Sequence, residues 1–145
     1  MSVSVEKAVA ATPELLAGLN NLLPQLSSNA VALSLVDVET MVNSDAATLF
    51  VATDNGVVVG TLTLVIFPIP TGVRAWIEDV VVDENARGLG IGEALTSAAV
   101  DEARRRSVRS IDLTSRPSRE VANALYRKLG FERRETNVYR FFLEK

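Results

Sequence analysis

The sequence predicts an α+β fold: a mixed central β-sheet of about six or seven strands, flanked by four helices in three α/β/α layers. Three observations predict it. Apolar residues recur at helical spacing in four segments, and shorter apolar or alternating runs stand between them. The order of these segments is β-α-α-β-β-β-α-β-α-β-β, an arrangement that packs helices around one sheet. An Asp54-Asn55-Gly56 turn joins two strand-like runs, and Asn-Gly supplies the positive φ angles of a tight antiparallel hairpin. No repeat, low-complexity tract or linker divides the chain, so residues 1–145 are expected to form a single domain.

Each element has a local cause. Val3 to Ala10 reads as the first strand. Thr12 is placed to cap a helix, with Pro13 at the first helical position, where its missing N–H costs nothing. Leu15, Leu16, Leu19, Leu22 and Leu23 line one face of that helix, and Pro24 weakens its continuation. Leu26 to Leu35 is a connector expected to be mobile, and Val36 to Asn43 a short helix. Leu49 to Ala52 and Val57 to Phe67 are the hairpin strands. The segment from Phe67 to Gly72 reads as a connection, because prolines 68 and 70 lack ladder donors. Ala75 to Val82 is nearly all apolar and reads as a central strand. A helix from about Gly92 to Arg106 carries a stripe of Ala94, Leu95, Ala98, Ala99 and Ala103. Val108 to Thr114 is a strand. Ser118 caps a helix with Val121, Ala122, Leu125 and Leu129, which Gly130 ends. Phe131 to Arg134 and Val138 to Leu143 are the closing strands.

Composition narrows the function. The 145 residues are 48% hydrophobic and 23% charged, the balance of a globular protein rather than a disordered one. A net charge of -3 disfavours nucleic acid as the main partner. With neither cysteine nor histidine, there is no disulfide, no thiol nucleophile, no Ser-His-Asp triad and no usual nitrogen or thiolate metal site. No metal is therefore expected. Acid–base work falls to Asp, Glu, Lys, Tyr or water. Met1 to Lys7 lacks the basic start and apolar region of a secretion signal, and Val57 to Pro70 is too short and interrupted for a membrane helix of ~20 residues. A cytoplasmic protein without a membrane partner is expected.

Three segments carry chemistry. The first is Arg87-Gly88-Leu89-Gly90-Ile91-Gly92, directly after the central strand and opening a helix. Glycines let a backbone approach a ligand, and helix N–H groups with the macrodipole favour an anion. Arg87 adds positive charge. A Walker A turn would continue Gly-Lys-Ser/Thr, but Glu93-Ala94 follows; the dinucleotide fingerprint fails too, since Glu93 or Leu95 stands where its third glycine belongs. The turn suits a pyrophosphate, or else merely lets strand and helix pack closely.

The second is Glu78-Asp79 inside the apolar strand. Burial raises a carboxylate's pKa towards that of a usable base, and alternation sends the two side chains to opposite faces unless a bulge intervenes. Pairing with Arg74 or Arg116 is the plainer alternative. The third is the helix carrying Asn123 and Tyr126, three apart and so on one face. A tyrosine hydroxyl beside a thioester sulfur can protonate a departing thiolate, or it can be a half-buried, satisfied phenol.

Together these segments resemble the GNAT superfamily of acetyl-CoA-dependent N-acetyltransferases. That family's turn, Arg/Gln-x-x-Gly-x-Gly/Ala, is matched by Arg87, Gly90 and Gly92, and its later helix by Asn123, Tyr126, Gly130 and Phe131. The resemblance covers nearly the whole chain. It implies that acetyl-CoA is the co-substrate, with its pantetheine arm along backbone at Val80, Val81 and Val82. The pyrophosphate would sit on amides of Gly88, Leu89, Gly90, Ile91, Gly92 and Glu93 beside Arg87. Asn123 would touch the cofactor arm. Glu78 would act as base and Tyr126 as acid, in direct transfer to a primary amine of a small molecule or peptide. The family also bulges the strand before the turn and splays it from the next one.

Within the family, Ile77 to Val82 and Asn137 to Arg140 are similar to glucosamine-6-phosphate N-acetyltransferases, whereas Leu113 to Ser118 departs from them around the acceptor site. That likeness does not assign a sugar phosphate; Asp79, Arg116 and Tyr139 are candidate acceptor contacts. Arg74, Arg116, Arg119 and Arg140 are candidates to read an anionic amine. A non-catalytic acyl-CoA sensor, or a pure interaction domain, are the rival readings. The closing strand is apolar on both faces towards its end, which suggests a homodimer interface.

Overall fold

The structure, a computed structural model, describes residues 2–144. Its elements are β1 (Val3–Lys7), α1 (Pro13–Leu26), α2 (Leu35–Val42), β2 (Ala47–Asp54), β3 (Val57–Ile69), β4 (Gly72–Val82), α3 (Ile91–Arg105), β5 (Ser110–Asp112) and α4 (Glu120–Lys128), with a 3-10 turn at Glu84–Ala86. They form two compact units, Met1–Thr114 and Ser115–Lys145.

In the first unit, capping sets the helix starts. The Thr12 hydroxyl accepts the Leu15 N–H at 3.1 Å, as the sequence predicts. α2 begins one residue earlier than expected, because Ser34 and Asp37 form a reciprocal capping box. Asp37 is held below the usual carboxylate range, first by the Ser34 N–H and then by its hydroxyl. Pro24 lies inside α1 without ending it. Asn20 ties the connector at Leu33, accepting its N–H at 2.8 Å and donating to its carbonyl at 3.1 Å.

The sheet order is β1-β2-β3-β4-β5, antiparallel except for the parallel β4–β5 pair. The expected connection from Phe67 to Gly72 is a tight hairpin instead, and Pro68 sits in the ladder opposite Val73. The proline fits because alternate residues point their N–H groups to one side. The Ile66 N–H reaches the Ala46 carbonyl beyond β2, so at position 68 that side has no strand left to receive a donor.

Two helical layers cover opposite faces of this sheet. Leu15, Leu19 and Val38 pack with Leu49, Val51 and Val58 on the α1–α2 face. On the other face a Cβ at Gly60 would lie 3.1 Å from Ile91 and 3.2 Å from Leu95, so glycine there lets α3 sit close to β3. Leu22, Leu62, Leu64 and Leu95 are wholly buried, each contributing about 1.5–3 kcal/mol. Glu102 of α3 is buried between Lys7 of β1, 2.6 Å away, and Arg105.

In the second unit the N-cap of α4 is Arg119, with no side-chain cap, rather than Ser118. Asn123 instead ties the preceding loop, donating to the Arg116 carbonyl at 2.9 Å. Gly130, at φ +100°, closes the helix in a Schellman turn: its N–H meets the Arg127 carbonyl at 3.1 Å, and the Phe131 N–H meets the Tyr126 carbonyl at 2.9 Å.

The two closing strands are a correction. Residues 131–143 form no strand, and the sheet has five strands among the described residues. Apolar alternation marks a segment able to pair, but a strand exists only where a neighbour supplies the ladder. Here the Phe131 N–H is the last backbone group held among the described residues. β5 is likewise shorter than the expected 108–114.

Candidate functional site

The site starts from an irregularity in β4. Glu78 pairs with Thr63, but Val81 pairs with Thr61, so Asp79 and Val80 together face Leu62. This is a β-bulge, and Asp79 takes φ +50°, uncommon for a residue with a side chain. The bulge keeps Glu78 and Val81 on one face, because Thr63 and Thr61 share it. Val81 is buried there, whereas Glu78 is exposed. The expectation of a buried, base-like carboxylate is therefore corrected: both Glu78 and Asp79 reach solvent, and neither has an ion-pair partner among the described residues.

The second irregularity is a gap. β4 and β5 pair only at Arg74–Ser110, Ala75–Ile111 and Trp76–Asp112. From Ile77 to Val82, β4 has no partner on that edge among the described residues. Backbone donors and acceptors of Ile77, Val80 and Val82 border this opening, which an extended ligand can enter as a strand would. Trp76 and Asp112 lie at its closed end. By register they look to the same face as Glu78, as does Arg74. Trp76 and Asp112 were missed as site residues in the sequence. The usable signal for Trp76 was its spacing, two residues before Glu78.

The glycine turn follows the open end of β4. Gly88 and Gly90 take φ +81° and +78°, and Gly90 is the N-cap of α3. A Cβ at either would meet nothing within 4 Å, in contrast to Gly60. Close packing is thus not what these two glycines serve. They turn the backbone so that the start of α3 faces open space. Ala94 is the first residue whose N–H returns to the turn, at 3.0 Å from the Gly90 carbonyl. Amides before it form the positive end of a 15-residue helix. Arg87 and Gly92 lie on either side of this cradle, Arg87 exposed. Leu89 projects outward, while Ile91 is buried against β3, so Ile91 can offer a ligand only its backbone. Glu93 stands in the first turn of α3.

In the second unit, Asn123 and Tyr126 share one face of α4. Tyr126 is buried, with its ring edge-on to Phe131 at 5.8 Å. Burial raises its phenol above the ordinary tyrosine range, and the Arg119 guanidinium pulls it partly back. It is therefore a proton-carrying hydroxyl at neutral pH. Arg116 and Tyr139 are exposed, and Arg140 lies over the Phe142 ring at 5.8 Å. Among the described residues no group of three or more acidic side chains is placed to hold a metal, and no helix is long and apolar enough to cross a membrane.

Comparison with known proteins identifies the family and the fold. Residues 22–131 match the family model described as acetyltransferase (GNAT) family. A segment of 57 residues is 44% identical to mycothiol acetyltransferase of Saccharomonospora viridis, covering 39% of this chain and 19% of that protein. The chain thus matches about a fifth of that relative's length. Among solved structures, a transcriptional regulator from Bacillus halodurans C-125 superposes with a TM-score of 0.84 at 26% identity, over 97% of this chain and 100% of that one. A Trypanosoma brucei acetyltransferase superposes with a TM-score of 0.79, also at 26% identity, over 97% and 100%.

Proposed function

Because the chain belongs to the acetyltransferase (GNAT) family, we propose that it moves an acetyl group from acetyl-CoA to a primary amine, by direct transfer in a ternary complex. One observation carries this reading: an open glycine turn at a helix start lies just beyond a strand edge without a partner. That combination offers an anion cradle and a backbone ladder in sequence, which suits a pyrophosphate followed by an amide-bearing arm. Val80, Val81 and Val82 present backbone to the arm. Arg87 and amides from Gly88 to Glu93 hold the pyrophosphate, and Asn123 contacts the arm.

Glu78 takes a proton from the acceptor ammonium, directly or through one water. The neutral amine then attacks the thioester carbonyl, and a backbone N–H near Val80 stabilises the oxyanion. The carbon–sulfur bond breaks, Tyr126 gives its proton to the thiolate, and the extra proton on the new amide nitrogen passes through water to restore the Tyr126 phenol. The exposed Glu78 suits a base that must meet substrates from solvent. Asp79, Arg116 and Tyr139 contact the acceptor, a small molecule or peptide amine. In this reading residues 1–145 work as one domain, in the cytoplasm, as a homodimer.

The likeness to a protein described as a transcriptional regulator favours a second reading, a non-catalytic acyl-CoA sensor. Acetyl-CoA binding is expected under both. A screen of amines with acetyl-CoA, read by thiol release, separates them: amine-dependent release supports the transferase, and binding without release by any amine supports the sensor.

A further inference from the structure

We infer that Gln25, at the C-terminal end of α1, is a positioning residue for the glycine turn, and that acetyl-CoA affinity depends on the hydrogen bond it makes across to that turn. The inference rests on the preceding reading that the turn holds the pyrophosphate. Gly88 and Gly90 stand at positive φ in open space. Glycine adopts many other backbone conformations as readily, so a turn built on two of them does not keep one shape by itself. It needs an anchor on each side. On the helix side the anchor is Ile91, buried against β3. On the strand side it is the 3-10 turn Glu84–Ala86, whose Ala86 is buried next to Arg87.

The N–H groups of residues 83–86 fix that 3-10 turn. The Asp83 N–H donates to the Val59 carbonyl of β3 at 2.8 Å, and the Ala86 N–H to the Asp83 carbonyl at 2.8 Å. The Asn85 N–H donates to the Asp83 carboxylate at 3.1 Å. The Glu84 N–H reaches outside this local set: it donates to the side-chain carbonyl of Gln25 at 2.9 Å, across 59 positions of sequence. The nitrogen of the same Gln25 amide donates to the Asn21 carbonyl of its own helix at 3.4 Å, which leaves the oxygen to face Glu84. Leu22, wholly buried and three residues before Gln25, holds that face of α1 down.

The Gln25–Glu84 bond is exposed to water, so its loss costs the fold little. Its effect falls on the cradle. A turn that is out of its binding shape part of the time binds with an affinity lowered by the competent fraction. One hydrogen bond of this kind corresponds to about two- to tenfold in that fraction. By linkage, a ligand that fixes the turn must steady the end of α1 by the same factor.

The test is calorimetry with acetyl-CoA on the full chain and on Gln25→Met, which keeps the length of the side chain and removes the acceptor. Amide exchange at Ser27, whose N–H closes α1 on the Leu23 carbonyl at 3.0 Å, is followed with and without acetyl-CoA. The expected result is an affinity about two- to tenfold lower in the variant, with an unchanged urea midpoint. Saturating acetyl-CoA should slow Ser27 exchange by a similar factor in the parent and not in the variant. Equal affinity in the two proteins would overturn the inference and leave the pyrophosphate reading standing. Lower affinity with the same ligand-dependent slowing at Ser27 in both would mark a general packing contact and overturn it too. No binding by the parent would overturn the pyrophosphate reading itself, and the role of Gln25 with it.

Discussion

Trp76 of β4 stands opposite Asp112 of β5, and theirs is the last pairing between the two strands. Beyond it, from Ile77 to Val82, β4 has no neighbour on that edge among the described residues. The closed and open ends of one gap are thus set by a single step in register. The gap, the bulge at Asp79 and the glycine turn follow one another along the chain from Trp76 to Gly92.

Glu78→Gln keeps the shape of the side chain and removes its basicity. The expected outcome is a fall in kcat of about 10²–10⁴-fold, the usual contribution of a general base. The Kd for acetyl-CoA, measured by calorimetry, should stay within about threefold, as fits a group that acts on the acceptor.

Tyr126→Phe removes the proported acid's proton and leaves the ring against Phe131. The turnover rate should fall by at least about tenfold. A pH effect accompanies it. The folded phenol is raised above its unfolded value near ~10. Its contribution to stability is therefore fully present below that value and lost as pH rises through the folded pKa. In urea titrations the parent protein should lose stability above pH ~10 faster than the Phe variant, and the two should run parallel at neutral pH.

Gly90→Val forces a β-branched residue to φ +78°. Left-handed backbone costs about 1–2 kcal/mol for ordinary residues, so stability should drop by at least that amount. Because a Cβ there meets no protein atom, affinity for acetyl-CoA should fall more than tenfold even where the variant is still fully folded. Unchanged affinity would mean that the turn is a packing device.

Glu102→Gln removes the buried charge shared by Lys7 and Arg105. Both cations retain access to water, so the expected loss is about 1–3 kcal/mol rather than that of two stranded charges. Urea unfolding measures it, and acetyl-CoA affinity should not change.

Legibility in the sequence followed locality. Thr12, Asn55-Gly56 and Gly130 act on their own neighbours, and each was readable in place. Pro68 was misread because its tolerance depends on where β2 begins, a tertiary fact. Residues 131–143 were misread because a strand pattern does not name its partner. At the site, the glycine turn was legible from spacing. The exposure of Glu78 was not, since an apolar run looks buried whichever edge of the strand lies open. Asp112 joined the site only through the β4–β5 register, which no local pattern encodes, whereas Trp76 was readable from its spacing, two residues before Glu78.

The central claim is tested most directly by following free thiol while the protein turns over acetyl-CoA, with and without each member of a panel of primary amines. The account predicts saturable thiol release that requires an amine and is matched mole for mole by the N-acetylated amine. Release that is equal with and without every amine, or no binding of acetyl-CoA at all, would contradict it.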